Sequence, residues 1–341
     1  MTPSSPPLNA GRRRLVASLP LLATGLFLNP ALASPQVHKA SRALMGTQVD
    51  ITAQASSAVD CDAAIAAAYA EMTRLSDMMS RYQVGSAVHA LHLASGLQPV
   101  EIEPEMLAVL KSAQHMAERS HGAFDVTVGA FNGWVFDPTH PTIPDRAEIA
   151  RELPLVNYRD LVLSEKTSTA FLRRRGMRID LGGIAKLPIL QAGMHVLKQH
   201  GVSSAMLNGG GDVLVSGQLE GRDWRVGVRD PRAPEKLIGV LNLNEGFVAA
   251  SGDYERFFIQ NGRRYHHILN PKTGQSTTGP HGVTLVSRNL QDINGLGAAI
   301  MVAGSKAGQS LLQPLQGVDA LIVESNQSLW LSPGMAARLR T

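Results

Sequence analysis

Residues 177–187 read MRIDLGGIAKL, and few folds accommodate that order of residue types. The alternation Met177-Arg178-Ile179 predicts a short strand that delivers the carboxylate of Asp180 to its end. Gly182 and Gly183 follow, where a chain can turn tightly or approach another backbone closely. Apolar residues at helical spacing then predict a helix that carries Lys186 in its first turn and stops at Gly201. A glycine turn running into a helix offers backbone N–H groups and a cation to an anion. An ordinary strand-to-helix connection would look the same over this stretch alone, so the remaining chain has to decide.

The front end is a separate matter. Arg12-Arg13-Arg14 precede an apolar run over 15–28, broken by Pro20 and Gly25, and Ala31-Leu32-Ala33 has the small-residue cleavage pattern. The run is shorter than the roughly 20 apolar residues that span a bilayer. Residues 1–33 therefore read as an export signal of the twin-arginine type, leaving a mature chain of 34–341 in the periplasm without stable membrane insertion of its own. Removing the signal takes away three arginines and no acids and leaves 29 basic against 28 acidic residues. That balance carries no nucleic-acid footprint. Cys61 is the only cysteine, which excludes an internal disulfide and any CxxC zinc or redox motif.

Along the mature chain, alternation predicts a first strand over 44–53, and Ile65, Ala68, Met72, Leu75 and Met79 mark a helix over 60–81. A second helix is expected over 104–120, with Pro104 in its first turn and Gly122 past its end. Strands are expected over 158–164 and 169–174, then over 205–208, 213–216, 224–229, 238–243, 247–251, 265–269 and 283–287. A helix over 292–303, another from Ser305, and strands over 320–324 and 328–331 complete the pattern. With no repeat and no low-complexity linker, the expectation is an α+β chain: one compact unit of mixed sheets and helices, in one lobe or two.

Asn208-Gly209-Gly210-Gly211-Asp212 interrupts two strands with consecutive glycines, either as a hairpin turn or as a loop facing a ligand. Tyr265-His266-His267 places adjacent histidines on a strand, so their side chains face opposite ways and only one can look into a given site. A two-histidine metal site within that pair is thereby disfavoured.

Taken in order, MGT at 45–47, AFDVTVG at 123–129, DLGGIAK at 180–186, NGGGDV at 208–213, VRDP at 228–231, SGDYERFF at 251–258 and YHHILNPKTG at 265–274 closely resemble the ApbE family of flavin transferases. The resemblance implies an enzyme that binds FAD with magnesium, splits the pyrophosphate, attaches FMN to a Thr or Ser hydroxyl of an acceptor protein, and releases AMP. It further implies that Met45, Tyr82, Ala123, Phe124, Asp125 and Ile268 contact the flavin nucleotide, with Asp180 and Lys186 near its phosphates and ribose. Gly183 would give its carbonyl to the metal, and one histidine of the pair would be catalytic, His267 on the match to the family's HHI string. The leader and the late helix are similar to the NosX-type branch, whose members flavinylate a membrane partner in a respiratory system. Two departures stand out. The family's remaining metal ligands, an Asp and a Thr, fall on Asn294 and Ala298, with Asp292 the nearest carboxylate; and Leu187-Pro188 stands where the family continues with Gly. Asn keeps an oxygen but no charge and Ala keeps neither, so magnesium should be held more weakly. A flavin-binding accessory protein with weakened catalysis is the alternative that these departures leave open.

Overall fold

The computed structural model describes residues 36–56 and 59–341, and the leader expected over 1–33 lies outside them. The fold opens on a hairpin of β1 (Gln36–Leu44) and β2 (Thr47–Ala55). Its turn is Met45-Gly46, both at positive φ (55° and 71°), as a two-residue hairpin turn demands. The single strand expected over 44–53 is thus the end of one strand, a turn and most of another; a methionine in the left-handed region gives no sequence warning of it.

Helix α1 (Cys61–Met79) follows, then α2 (Ala87–Leu93), β3 (Val100–Glu101) and α3 (Pro104–Arg119). An irregular stretch holds α4 (Arg146–Glu152) and leads to β4 (Leu161–Ser164) and β5 (Thr169–Leu172). Helix α5 (Lys186–Gln199) precedes β6 (Ser204–Gly209), β7 (Asp212–Ser216), β8 (Trp224–Arg229), β9 (Leu237–Leu243) and β10 (Glu245–Gly252). The hairpin β11 (Phe257–Gln260) and β12 (Arg263–His266) comes before β13 (Gly282–Ser287). Helices α6 (Leu290–Ile293), α7 (Leu296–Ala303) and α8 (Ser305–Leu312), strands β14 (Asp319–Val323) and β15 (Leu329–Leu331), and α9 (Pro333–Arg338) end the chain.

Eight strands form one antiparallel sheet in the order β1-β2-β6-β7-β10-β13-β14-β15. Alternation along the strands sorts its two faces. Ile51, Leu207, Leu214, Phe247 and Leu285 point to the main core, shared with α1, α3, α5 and α7. Val213, Val215, Val248 and Val286 point the other way, against Trp224, Val226 and Leu241 of the β8–β9 ribbon and Met335 of α9. The large main core includes Tyr69, fully buried, whose hydroxyl lies 3.0 Å from the Ala40 carbonyl and 2.9 Å from that of Val49, fixing α1 to both strands of the first hairpin. A third, smaller core gathers Phe131, Trp134, Ile149 and Phe258. It steadies the β11–β12 hairpin: the Phe258 and Tyr265 rings stack at 5.3 Å, and Trp134 Nε1 donates to the Gly274 carbonyl at 3.0 Å. These layers build the expected α+β architecture.

Two expectations fail locally. Residues 177–180 join no sheet. Their extended backbone is held instead by the Asp180 N–H donating to the Val126 carbonyl at 2.7 Å and the Ile179 N–H donating to His92 Nε2 at 2.9 Å. The helix expected over 292–303 is broken at Gly295, whose φ of +79° ends α6 and restarts the chain as α7.

Gly129 shows how close the first of these contacts is. A Cβ there would sit 2.5 Å from the Ile179 carbonyl carbon and 2.9 Å from Asp180 N. Both neighbours are backbone, so neither can swing aside. Gly129→Ala is expected to lower stability by about 1–3 kcal/mol, the usual cost of forcing an extra carbon into a filled site, read as a fall in the urea midpoint.

Candidate active site

The 180–186 turn lies where the main-core face of the sheet meets α5 and α7. Asp180 is the centre. One oxygen accepts Arg81 Nη1 at 2.7 Å and the other accepts the Gly182 N–H at 2.8 Å. Burial alone would raise its pKa, but Arg81 and the Gly182 N–H outweigh it and hold the carboxyl below the usual range. Arg81 also lies over the ring of Tyr82 at 5.4 Å, and that ring is 73% exposed. The Asp180 ion pair thus anchors an open aromatic face beside the turn.

Lys186, at the start of α5, reaches Asp212 at 3.8 Å, and Asp212 also accepts the Ala250 N–H at 3.0 Å. Burial, reinforced by Glu255, pushes the Asp212 carboxyl up despite Lys186 and the Ala250 N–H. The glycine run before it is a hairpin turn: Gly209 pairs with Asp212, and Gly210 and Gly211 take φ of +66° and +96°. Gly210 has a second reason to lack a side chain, since a Cβ would fall 2.5 Å from Thr47 Oγ1. This turn therefore nests against the Met45-Gly46 turn, and the Met45 methyl lies 3.5 Å from where a Gly209 Cβ would be. Met45, Asp212 and Lys186 gather at one end of the sheet.

Phe124 is a wedge. Its ring edge lies 3.3 Å from the position of a Gly183 Cβ and 3.2 Å from that of a Gly295 Cβ, and the Ala298 methyl is 3.9 Å from the former. Gly183 and the start of α7 are therefore neighbours, as the resemblance implies. Asn294, which caps the C-terminal end of α6, is 4% exposed, and its Nδ2 is buried without a hydrogen-bond partner. Asp292 is engaged elsewhere: its carboxylate accepts Asn289 Nδ2 at 2.9 Å and its carbonyl accepts Arg119 Nη2 at 2.9 Å.

The strand expected over 265–269 ends at His266, so the two histidines part at the end of β12 and not by alternation along it. His266 is 3% exposed; its Nε2 lies 3.0 Å from the Thr277 carbonyl, and its backbone exchanges hydrogen bonds with the Ser276 hydroxyl. His267 is half-buried, and among the described residues its ring has no hydrogen-bond partner, with Nδ1 buried and unpaired. Burial, then His266, Arg256 and Lys186, push its pKa down to about 4, so the ring is neutral at neutral pH. The backbone N–H of His267 donates to the Arg256 carbonyl at 3.1 Å, which keeps that arginine alongside.

Other expected contacts are absorbed by packing. Asp125 is 6% exposed and accepts the Thr127 N–H at 2.8 Å, the Thr127 hydroxyl at 2.6 Å and the Tyr158 N–H at 2.9 Å. It caps a short turn of helix. Ile268 lies in the main core, and Ala123 packs against it. Arg81 and His92 were not singled out from the sequence, whereas Asp212 and Arg256 lie within the NGGGDV and SGDYERFF strings without a role assigned to either. The adjacency of Arg81 to Tyr82 was the only signal available for that arginine. On the opposite face of the sheet, Asn208, Gly211, Arg229, Ser251, Tyr254 and Glu255 line a cavity of about 160 Å³, so the NGGGD, VRDP and SGDYE strings meet in one place.

Residues 45–322 match the model of the ApbE family. The chain belongs to that family. An ApbE relative from Treponema pallidum (strain Nichols), an FAD:protein FMN transferase, is 30% identical over 300 residues, covering 83% of each chain. The FAD:protein FMN transferase of Klebsiella pneumoniae (strain 342) is 30% identical over 262 residues, 76% of this chain and 81% of its own. Among solved structures, the ApbE protein of Thermotoga maritima superposes with a TM-score of 0.83 at 30% identity, covering 90% of this chain and all of that one. The flavin transferase ApbE of Vibrio cholerae shares the fold, with a TM-score of 0.80 at 23% identity over 89% of this chain.

His92 gives this ApbE site a pH limit. Burial holds its pKa down to about 4 while its Nε2 accepts the Ile179 N–H. An unfolded histidine titrates near 6.5, so on acidification the unfolded chain takes up the proton first. Stability is therefore expected to fall from about pH 6.5 towards pH 4. His92→Gln, which removes the titrating ring, should flatten that fall in urea midpoints measured across the same range.

Proposed function

We propose that this chain is an FAD:protein FMN transferase. The acceptor hydroxyl oxygen attacks the phosphorus of the FMN half of FAD, the bond to the AMP oxygen breaks, and the hydroxyl proton passes to a base. The observation that carries this reading is His267: a neutral ring with an unpaired Nδ1, set within the field of Lys186 and Arg256 beside the Asp180 turn. A neutral imidazole can accept the proton. The charge of a bound diphosphate would offset the two cations that depress its pKa and so strengthen it as a base. Lys186 would stabilise charge on the phosphates as AMP departs. Relatives that share nearly a third of their residues across four-fifths of their length are named for this activity.

The family resemblance implies magnesium between Gly183 and the start of α7. The residues present there do not fit it. Magnesium favours hard, anionic oxygen ligands in octahedral array, whereas Asn294 is uncharged, Ala298 has no donor, and the Asp292 carboxylate bonds to Asn289. No step above depends on a metal. The leader over 1–33 supports periplasmic action on an exported acceptor, and the likeness to the NosX-type branch supports a membrane-bound respiratory one. Among the described residues no helix is long and apolar enough to cross a membrane.

The test is to incubate the purified mature chain with FAD and a Thr-containing acceptor domain, following AMP release and an acceptor mass gain of one FMN. His267→Asn is expected to lower the transfer rate by about 10²–10⁴-fold, as loss of a general base does, while FAD still binds. Unchanged transfer by that variant would remove His267 from the reaction, and bound flavin with no AMP from the native chain would favour the accessory reading instead.

A further inference from the structure

The misfit at the metal position raises the question of what meets the diphosphate charge in its place. Among the described residues no group of three or more His, Cys, Asp or Glu side chains could hold a metal ion. Where Gly183 faces α7, the chain offers a methyl group from Ala298, and the nearby Asn294 carries no charge. Neither supplies the anionic oxygen that a divalent ion favours.

Cations, by contrast, collect around the same turn. Arg81 is bound to the Asp180 carboxylate at 2.7 Å and is only 21% exposed. Lys186 stands 3.8 Å from Asp212, too far for a tight pair, and keeps 29% of its side chain open. Arg256 is exposed and makes no ion pair among the described residues, and its charge is felt at both Asp180 and His267. The carboxylates facing the group are Asp180, Asp212 and Glu255. Arg81 offsets the first, Lys186 offsets part of the second, and Glu255 is exposed to solvent.

We propose that this chain binds the FAD diphosphate without a divalent ion, with Arg256 and Lys186 supplying the positive charge and Arg81 silencing Asp180. The proposal rests on the flavin-transfer reading. Arg256 sits on the segment leading into the β11–β12 hairpin, whose far end carries His267, so the residue that neutralises the phosphate and the residue that takes the proton move as one piece. A guanidinium presents several donors in a plane and suits phosphate oxygens better than an ammonium does.

Flavin fluorescence anisotropy of the mature chain with FAD, in EDTA and in magnesium chloride, decides the matter. The native chain is expected to bind FAD with the same Kd in both. Arg256→Gln should weaken binding in EDTA by about tenfold or more, the range of a charge-assisted hydrogen bond. Asn294→Asp combined with Ala298→Thr should bind FAD more tightly in magnesium than in EDTA, and should take up Mn²⁺ by electron paramagnetic resonance where the native chain leaves it free. Native affinity that rises about tenfold with magnesium, or Arg256→Gln that binds as the native chain does, overturns the proposal and leaves the transferase reading intact. Failure to bind FAD in either buffer overturns both.

Discussion

Everything in the site hangs on one extended segment that belongs to no sheet. Residues 177–181 cross the interior held by hydrogen bonds from their own N–H groups to His92 and Val126, with Gly129 pressed against their backbone. A strand in a ladder has neighbours that hold it on both sides. This segment has single contacts, and each has to be right. Burial keeps His92 neutral, and the neutral ring is what accepts the Ile179 N–H. The position of Asp180, and through it Arg81 and Tyr82, follows from those contacts.

Much of this was legible in the chain. Helices α1, α3 and α5 follow from apolar spacing and from Pro104 and Gly201, because a buried helical face leaves a period that a single sequence displays. The strands from β6 to β10 follow from alternation in the same way. What stayed hidden depends on groups far apart in sequence. The 177–179 alternation is real, yet it reflects burial on one side of an isolated extended segment and not pairing. The break at Gly295 could not be read from an apolar run containing two glycines, because Phe124, which fills the space a Gly295 side chain would need, lies far back in the chain. The β1–β2 hairpin was missed because Met45, and not Asn or Asp, occupies its first left-handed position.

The same limit governs the site. Residue types that announce chemistry by themselves, in the Asp180–Lys186 turn and the histidine pair, can be singled out from the chain directly. Asp125, in one of the family-like strings, is a buried cap in the fold. Arg81 and Arg256, in contrast, look like ordinary surface arginines until the fold brings them to one carboxylate and one imidazole. Charge that matters through space leaves little mark on local sequence.

The walls of this site come from the 180–186 turn, the β6–β7 turn, the β11–β12 hairpin and the start of α7, and the sheet that unites them joins β2 to β6 and β10 to β13 across long stretches of chain. No fragment contains enough of it to hold a nucleotide. Binding competence therefore arrives only with the complete sheet, and a bound flavin adds its free energy to the whole fold and to no smaller part of it. On the proposed reading, flavin occupancy would be a certificate of folding: a half-made molecule could not capture the nucleotide, and a finished one that had captured it would be harder to unmake.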